Sequence, residues 1–153
     1  MIDLRSDSSS SPTEQMRQAM AHAPVGNDAF REDPTVNELE KRAADLLDKE
    51  AAVFLSSGTM GNLIAVMAAT TPGDAILAGR QSHLVRFEAG GAARLGGLLI
   101  ITFPDEDGRI KPVEIENYIQ LPMNLTPRLL AIENTHNCSG GLALSLEEME
   151  VYQ

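Results

Sequence analysis

The chain of 153 residues has no tryptophan, six other aromatic residues, one cysteine and only 12 basic side chains against 22 acidic ones. Each shortage excludes something. The single thiol, Cys138, rules out an intrachain disulfide and fits a reducing compartment. A net charge of −10 disfavours general binding to a nucleic-acid backbone or an anionic lipid surface, though it says little about a small anion held by local groups. No apolar run approaches the roughly 18 residues of a membrane helix, and the start, Met1-Ile2-Asp3-Leu4-Arg5, lacks the basic and apolar regions of a signal peptide. His22, His83, His136 and Cys138 show no metal-ligand spacing, so no metal is expected. What is present, 43% hydrophobic and 22% charged residues, is a soluble globular composition with length for one ordinary domain.

Apolar runs alternate with helical patterns. Ile2 to Asp7 reads as a short strand or extended arm. Ser11-Pro12-Thr13-Glu14 reads as a helix start with Ser11 as cap. Asp33-Pro34 starts a second helix, with Val36, Leu39, Ala43 and Leu46 on one face. Ala51 to Leu55 reads as a buried strand, followed by Ser56-Ser57-Gly58 and a helix from Thr59. Thr71-Pro72-Gly73-Asp74 is a turn; Ala75 to Ala78, Leu98 to Phe103 and Arg128 to Glu133 are strands. His83 opens a helix expected to continue through Glu88 to Leu95 and to end at Gly96-Gly97, Pro112 to Ile119 forms another, and Ser145 with Glu148 caps a last one. The pattern predicts an α/β fold with a parallel-rich sheet covered by helices on both faces. The last helix has barely begun at Gln153, so the chain reads as truncated.

In such sheets ligands bind at the carboxyl ends of strands. The loops there are Ser56 to Thr59, Gly79 to His83 and Asn134 to Gly141. The first combines a strand, a small-residue turn and a helix N-terminus. Its unpaired backbone N–H groups and the positive end of the helix dipole favour a phosphate; the alternative is an ordinary strand-to-helix turn. It is not a P-loop, because no Gly-Lys-Ser/Thr follows.

Five segments in register carry more. They are Asp3-Leu4-Arg5-Ser6-Asp7; Glu32-Asp33-Pro34-Thr35-Val36-Asn37; Ser57-Gly58-Thr59-Met60-Gly61-Asn62; His83 with Phe87-Glu88-Ala89-Gly90-Gly91-Ala92-Ala93; and Glu133-Asn134-Thr135-His136-Asn137 with Gly140-Gly141. Their order and spacing resemble the N-terminal half of the threonine aldolases, in the β-eliminating lyase group of fold-type-I enzymes that use pyridoxal 5′-phosphate (PLP). The resemblance implies residues 1–50 as an arm with helices and 51–153 as the first part of a PLP-binding large domain. It implies PLP as cofactor, an amino-acid substrate, a cytoplasmic setting, and a dimeric or tetrameric homo-oligomer. Ser57, Gly58 and Thr59 would hold the cofactor phosphate. His83 would stack on the ring and act near the substrate hydroxyl, a task for a flat group that titrates near neutrality. Ser6 would reach the substrate carboxylate. Glu88 is read as supporting structure, with Asn134 and Asn137 as further candidates near the ring. The implied reaction is retro-aldol cleavage of a β-hydroxy amino acid, threonine giving glycine and acetaldehyde.

The departures bear on this. The lysine that such enzymes use to hold the cofactor aldehyde has no counterpart here; Lys41, Lys49 and Lys111 all lie outside the matching segments. The acidic partner of the pyridinium nitrogen and the main carboxylate-binding arginine are likewise missing. Phe30-Arg31 replaces a common Tyr-Gly, and Leu121-Pro122-Met123-Asn124 lacks a histidine often found there. The alternative reading is a catalytically inactive fragment or pseudoenzyme acting as a binding or assembly module.

Overall fold

The computed structural model describes residues 6–122, 125 and 127–152. The chain divides into two compact units, Met1–Ser56 and Ser57–Gln153.

The first unit contains helices α1 (Glu14–His22) and α2 (Pro34–Leu46). The predicted cap of α1 is corrected: Thr13, not Ser11, accepts the Met16 N–H, at 3.2 Å. Asp33 caps α2 as expected. Its Oδ1 accepts the Thr35 and Val36 N–H groups, both at 2.9 Å, and its Oδ2 accepts that of Gly26 at 3.0 Å. The expected strand at Ala51 to Leu55 does not form. A strand needs a neighbour for its backbone groups, and this segment joins no ladder among the described residues. Instead the Phe54 N–H donates to Glu40 Oε1 at 2.8 Å, and the Phe54 side chain is 54% exposed. Of the N-terminal arm, residues 1–5 lie outside the described residues; Asp7–Ser9 form one 3₁₀ turn capped by Ser6.

The second unit is a parallel sheet in the order β2-β1-β3, made of β1 (Ala75–Gly79), β2 (Leu99–Phe103) and β3 (Pro127–Ala131). Every residue of β1 is buried, as its continuous apolar run requires of a central strand. Side chains alternate across it. Ile76, with Ile100 and Leu129 beside it, packs on Val66, Leu84, Ala92 and Leu98. Leu77, with Ile101 and Leu130, packs on Phe103, Ile110 and Ile115. The first face is covered by α3 (Gly58–Ala69), α4 (His83–Arg86) and α5 (Gly91–Arg94), the second by α6 (Pro112–Ile119) and by Tyr152, just beyond α7 (Leu146–Glu150). The helices thus lie on both faces, as the pattern predicted. The Tyr152 hydroxyl donates to the Ile110 carbonyl at 2.6 Å.

The helix expected to run from His83 to Leu95 is two helices. Ala89 (φ 52°) and Gly90 (φ 68°) are left-handed and turn the chain between α4 and α5. The bounds of α6 and the Ser145–Glu148 capping box are as predicted. No helix among the described residues is long and apolar enough to cross a membrane.

Candidate functional site

The carboxyl ends of β1 and β3 and the start of α3 gather the chemistry of the second unit. Ser57 caps α3, its hydroxyl accepting the Met60 N–H at 3.2 Å. The N–H groups of Gly58 and Thr59, at the first two helical positions, have no intrahelical acceptor. A Cβ added to Gly58 would meet no heavy atom within 4 Å. The backbone at this helix end therefore stands clear, and a phosphate can approach N–H groups already aimed along the dipole. The residues fit the phosphate end of PLP.

His83 is the first residue of α4, on the loop that follows β1. Its Nδ1 lies 2.8 Å from Oε1 of Glu88, a buried residue. The same Oε1 accepts the Asn62 side-chain N–H at 2.6 Å. Asn62 lies one turn along α3 from Thr59, so two side chains, Asn62 and Glu88, join that helix to the imidazole. The backbone N–H of His83 donates to Glu133 Oε2, and Glu133 Oε1 accepts the Asn137 N–H at 2.8 Å. Glu133 thus ties the loop after β3 to the start of α4. A cavity of about 410 Å³ lies here, lined by Asn62, Ser82, His83, Ala131, Glu133 and Asn134 among others. Phe87 leaves its ring centroid 5.3 Å from that of His83.

Behind these loops sits a buried pair. Asp105, after β2, and His136, after β3, are each 2% exposed. Nε2 of His136 lies 2.9 Å from Asp105 Oδ2, and Asp105 Oδ1 accepts the Gln81 N–H at 2.8 Å. One carboxylate therefore fastens the loops after all three strands. His136 thereby organises its loop. Asn134 does so too, its Oδ1 accepting the Leu144 N–H at 3.1 Å.

The structure groups Ser57, Gly58, Thr59 and His83 in one unit. Ser6 belongs to the other, where its hydroxyl accepts the Ser8 N–H at 3.3 Å. Asn62 and Glu133 stand in the matching segments with no implied role, and the sequence gives Glu88 only a supporting one. Glu88 and Glu133 meet partners 26 and 50 residues away in sequence, and no local periodicity signals such pairs.

The comparisons with known proteins agree with this architecture. The family model described as beta-eliminating lyase matches residues 3–153. Low-specificity L-threonine aldolase 1 of Arabidopsis thaliana is 42% identical over 155 residues, covering 97% of this chain and 43% of that protein. The low specificity L-threonine aldolase of Escherichia coli K12 is 40% identical over 145 residues, covering 90% and 42%. The threonine aldolase of Leishmania major has a solved structure that superposes with a TM-score of 0.71 at 26% identity, over 91% of this chain and 40% of that one. The chain thus spans about two fifths of the length of the relatives it matches, and its fold is that of the fold-type-I enzymes. It belongs to the β-eliminating lyase family.

Proposed function

We propose that this chain carries the phosphate cup and the ring-facing histidine of a PLP-dependent lyase. The reaction, in a protein of the relatives' length, is retro-aldol cleavage of a β-hydroxy amino acid, with threonine giving glycine and acetaldehyde. One observation supports this most: the open N-terminus of α3 is joined through Asn62 and Glu88 to His83 beside the 410 Å³ cavity.

In this reading Gly58 and Thr59 hold the phosphate with backbone N–H groups, and the Ser57 cap keeps that first turn in shape. The flat imidazole of His83 lies against the cofactor ring. It takes the proton of the substrate hydroxyl as the Cα–Cβ bond breaks and the hydroxyl carbon becomes the aldehyde carbonyl. Bound there, PLP supplies the electron sink for the pair left on Cα. The working form is a cytoplasmic homo-oligomer.

The second reading, binding without catalysis, is favoured by the lysines. Lys41 pairs with Asp45 at 2.6 Å in the first unit, Lys49 lies in that unit too, and Lys111 begins α6. None lines the cavity beside His83. Both readings share the phosphate cup, so the test begins there. PLP and pyridoxal, which lacks the phosphate, are titrated against the chain by equilibrium dialysis. Tighter binding of PLP by tenfold or more, about the worth of one charge-assisted hydrogen bond, is expected. Equal binding would refute the cup. Release of acetaldehyde from threonine by a protein of the relatives' length that contains this chain, measured with a coupled dehydrogenase, then separates the lyase from the binding module.

A further inference from the structure

We propose that Glu88 is the positioning residue for His83, fixing its ring with the proton on Nδ1 and leaving Nε2 as the acceptor. The role in a reaction rests on the PLP reading above; the geometry does not.

Three observations carry it. Glu88 is buried, its side chain 2% exposed against 41% for that of His83. A group so enclosed stays polar at a cost unless its partners are fixed. Its Oε1 already accepts from Asn62 at 2.6 Å. A carboxylate oxygen that already accepts from one N–H accepts from a second, which assigns the proton of this contact to Nδ1, 2.8 Å from the same atom. Which nitrogen of a histidine carries the proton is set by the hydrogen bond the other makes, and here the buried partner holds one side. The remaining nitrogen, Nε2, keeps its lone pair. That is the form in which an imidazole can take a proton from a hydroxyl. The alternative tautomer would set two acceptors against each other at Nδ1.

Asn62 gives the arrangement its second support. It comes from α3, the helix whose N-terminus offers the phosphate site, while Glu88 follows α4. The carboxylate therefore registers the imidazole against the helix that would hold the cofactor's other end. Glu88 touches neither cofactor nor substrate in this scheme and acts only through His83.

The tautomer can be read without activity. The three histidines are followed in uniformly ¹⁵N-labelled chain by long-range ¹H–¹⁵N correlation at a pH where the rings are neutral. Signals are assigned with the His22→Gln and His83→Gln variants. The wild-type chain should show His83 with a protonated Nδ1 and an unprotonated Nε2, favoured by about tenfold or more. Glu88→Leu should lower that ratio at least tenfold while leaving the His136 signals in place. Asn62→Leu should keep Nδ1–H, because Glu88 still accepts from His83. A wild-type spectrum with Nε2–H dominant, or an equal mixture, would overturn the proposal even if Glu88→Leu failed to fold. An unchanged ratio in folded Glu88→Leu would overturn it as well. Added PLP separates the two ideas. A fixed Nδ1–H with no response to PLP keeps the positioning and sinks the cofactor reading; PLP binding beside a mixed tautomer does the reverse.

Discussion

Gly79 and Asp105 meet so closely that each should reveal the other in a double-mutant cycle. Gly79 ends the central strand, and a Cβ built on it would lie 2.0 Å from Asp105 Oδ2 and 2.6 Å from its Cγ. The carboxylate cannot swing away without giving up the Gln81 N–H and the His136 ring. Gly79→Ala should therefore cost about 1–3 kcal/mol or more, as overpacking of a rigid site does. Asp105→Ala should cost about 3–5 kcal/mol, because it leaves a buried imidazole and a backbone N–H without their acceptor. In the double variant the obstruction is gone. Only the residue-105 Cβ remains, 3.1 Å from the new methyl, a contact that a shift of a few tenths of an ångström relieves. Adding Gly79→Ala to Asp105→Ala should then cost less than about 1 kcal/mol, and the coupling is the part of the single-variant penalty that disappears, up to about 3 kcal/mol. Urea unfolding followed by far-ultraviolet circular dichroism measures all four corners. If Gly79→Ala alone costs under about 0.5 kcal/mol, or if the two penalties simply add, the close approach is wrong, and with it the account of how the loop before His83 is held.

Three other variants test separate claims. Gly58→Ala should leave stability within about 0.5 kcal/mol, since its Cβ meets nothing. It should nonetheless weaken PLP binding roughly tenfold by standing where the phosphate approaches; unchanged affinity in dialysis would place the phosphate elsewhere. The Val36 N–H, then that of Gly26, with a smaller contribution from Thr35, holds the Asp33 carboxyl below its ordinary value of 3.8. The unfolded chain therefore binds more protons between the two values, and this stability is complete above pH 3.8 and lost as pH falls through the folded value. Asp33→Asn should show its full deficit above pH 3.8 and a shrinking one below, read from acid unfolding curves; a deficit that grows toward low pH would refute the assignment. Arg31 sits at φ 58° with its guanidinium 3.0 Å from Glu40. Relief of left-handed strain, about 1–2 kcal/mol, exceeds the worth of an exposed ion pair, about 0–1 kcal/mol. Arg31→Gly should therefore raise the thermal midpoint or leave it unchanged, and a clear fall would show that the ion pair outweighs the strain.

What could be read from the chain was what is local. Ala75 to Ala78 is apolar throughout because the central strand is covered on both faces, and the turn before it fixes where it starts. Asp33-Pro34 and Ser145 with Glu148 carry their own caps within three residues, and those helices begin where predicted. Ser57 and His83 were legible for the same reason, each standing at a helix start. The failures are also local in cause. Ala51 to Leu55 has a strand's composition, but composition cannot supply a neighbouring strand. The run from His83 to Leu95 has helical content, yet Ala89 takes a left-handed turn that only glycine would have announced, and Gly90-Gly91 was the available sign.

The site's framework was illegible because it is built from long-range polar pairs. Asp105 and Glu133 look in the sequence like ordinary members of an acidic excess, and Glu88 is read as support only through its place in a matching segment, with neither partner indicated. In the fold each joins segments distant in sequence. Glu88 joins α3 to α4, Asp105 joins the loops after all three strands, and Glu133 joins the loop after β3 to the start of α4. Apolar packing could not do this at the open end of a sheet, where the backbone N–H groups of loops need acceptors and a ligand needs polar surroundings. A carboxylate offers two oxygens with several acceptor sites, so one side chain can satisfy two loops at once. The −10 charge, which disfavours general binding to a nucleic-acid backbone, thus includes acids committed to holding these loops. That division explains why the His83 environment can be specific in a chain whose motifs, taken singly, are short.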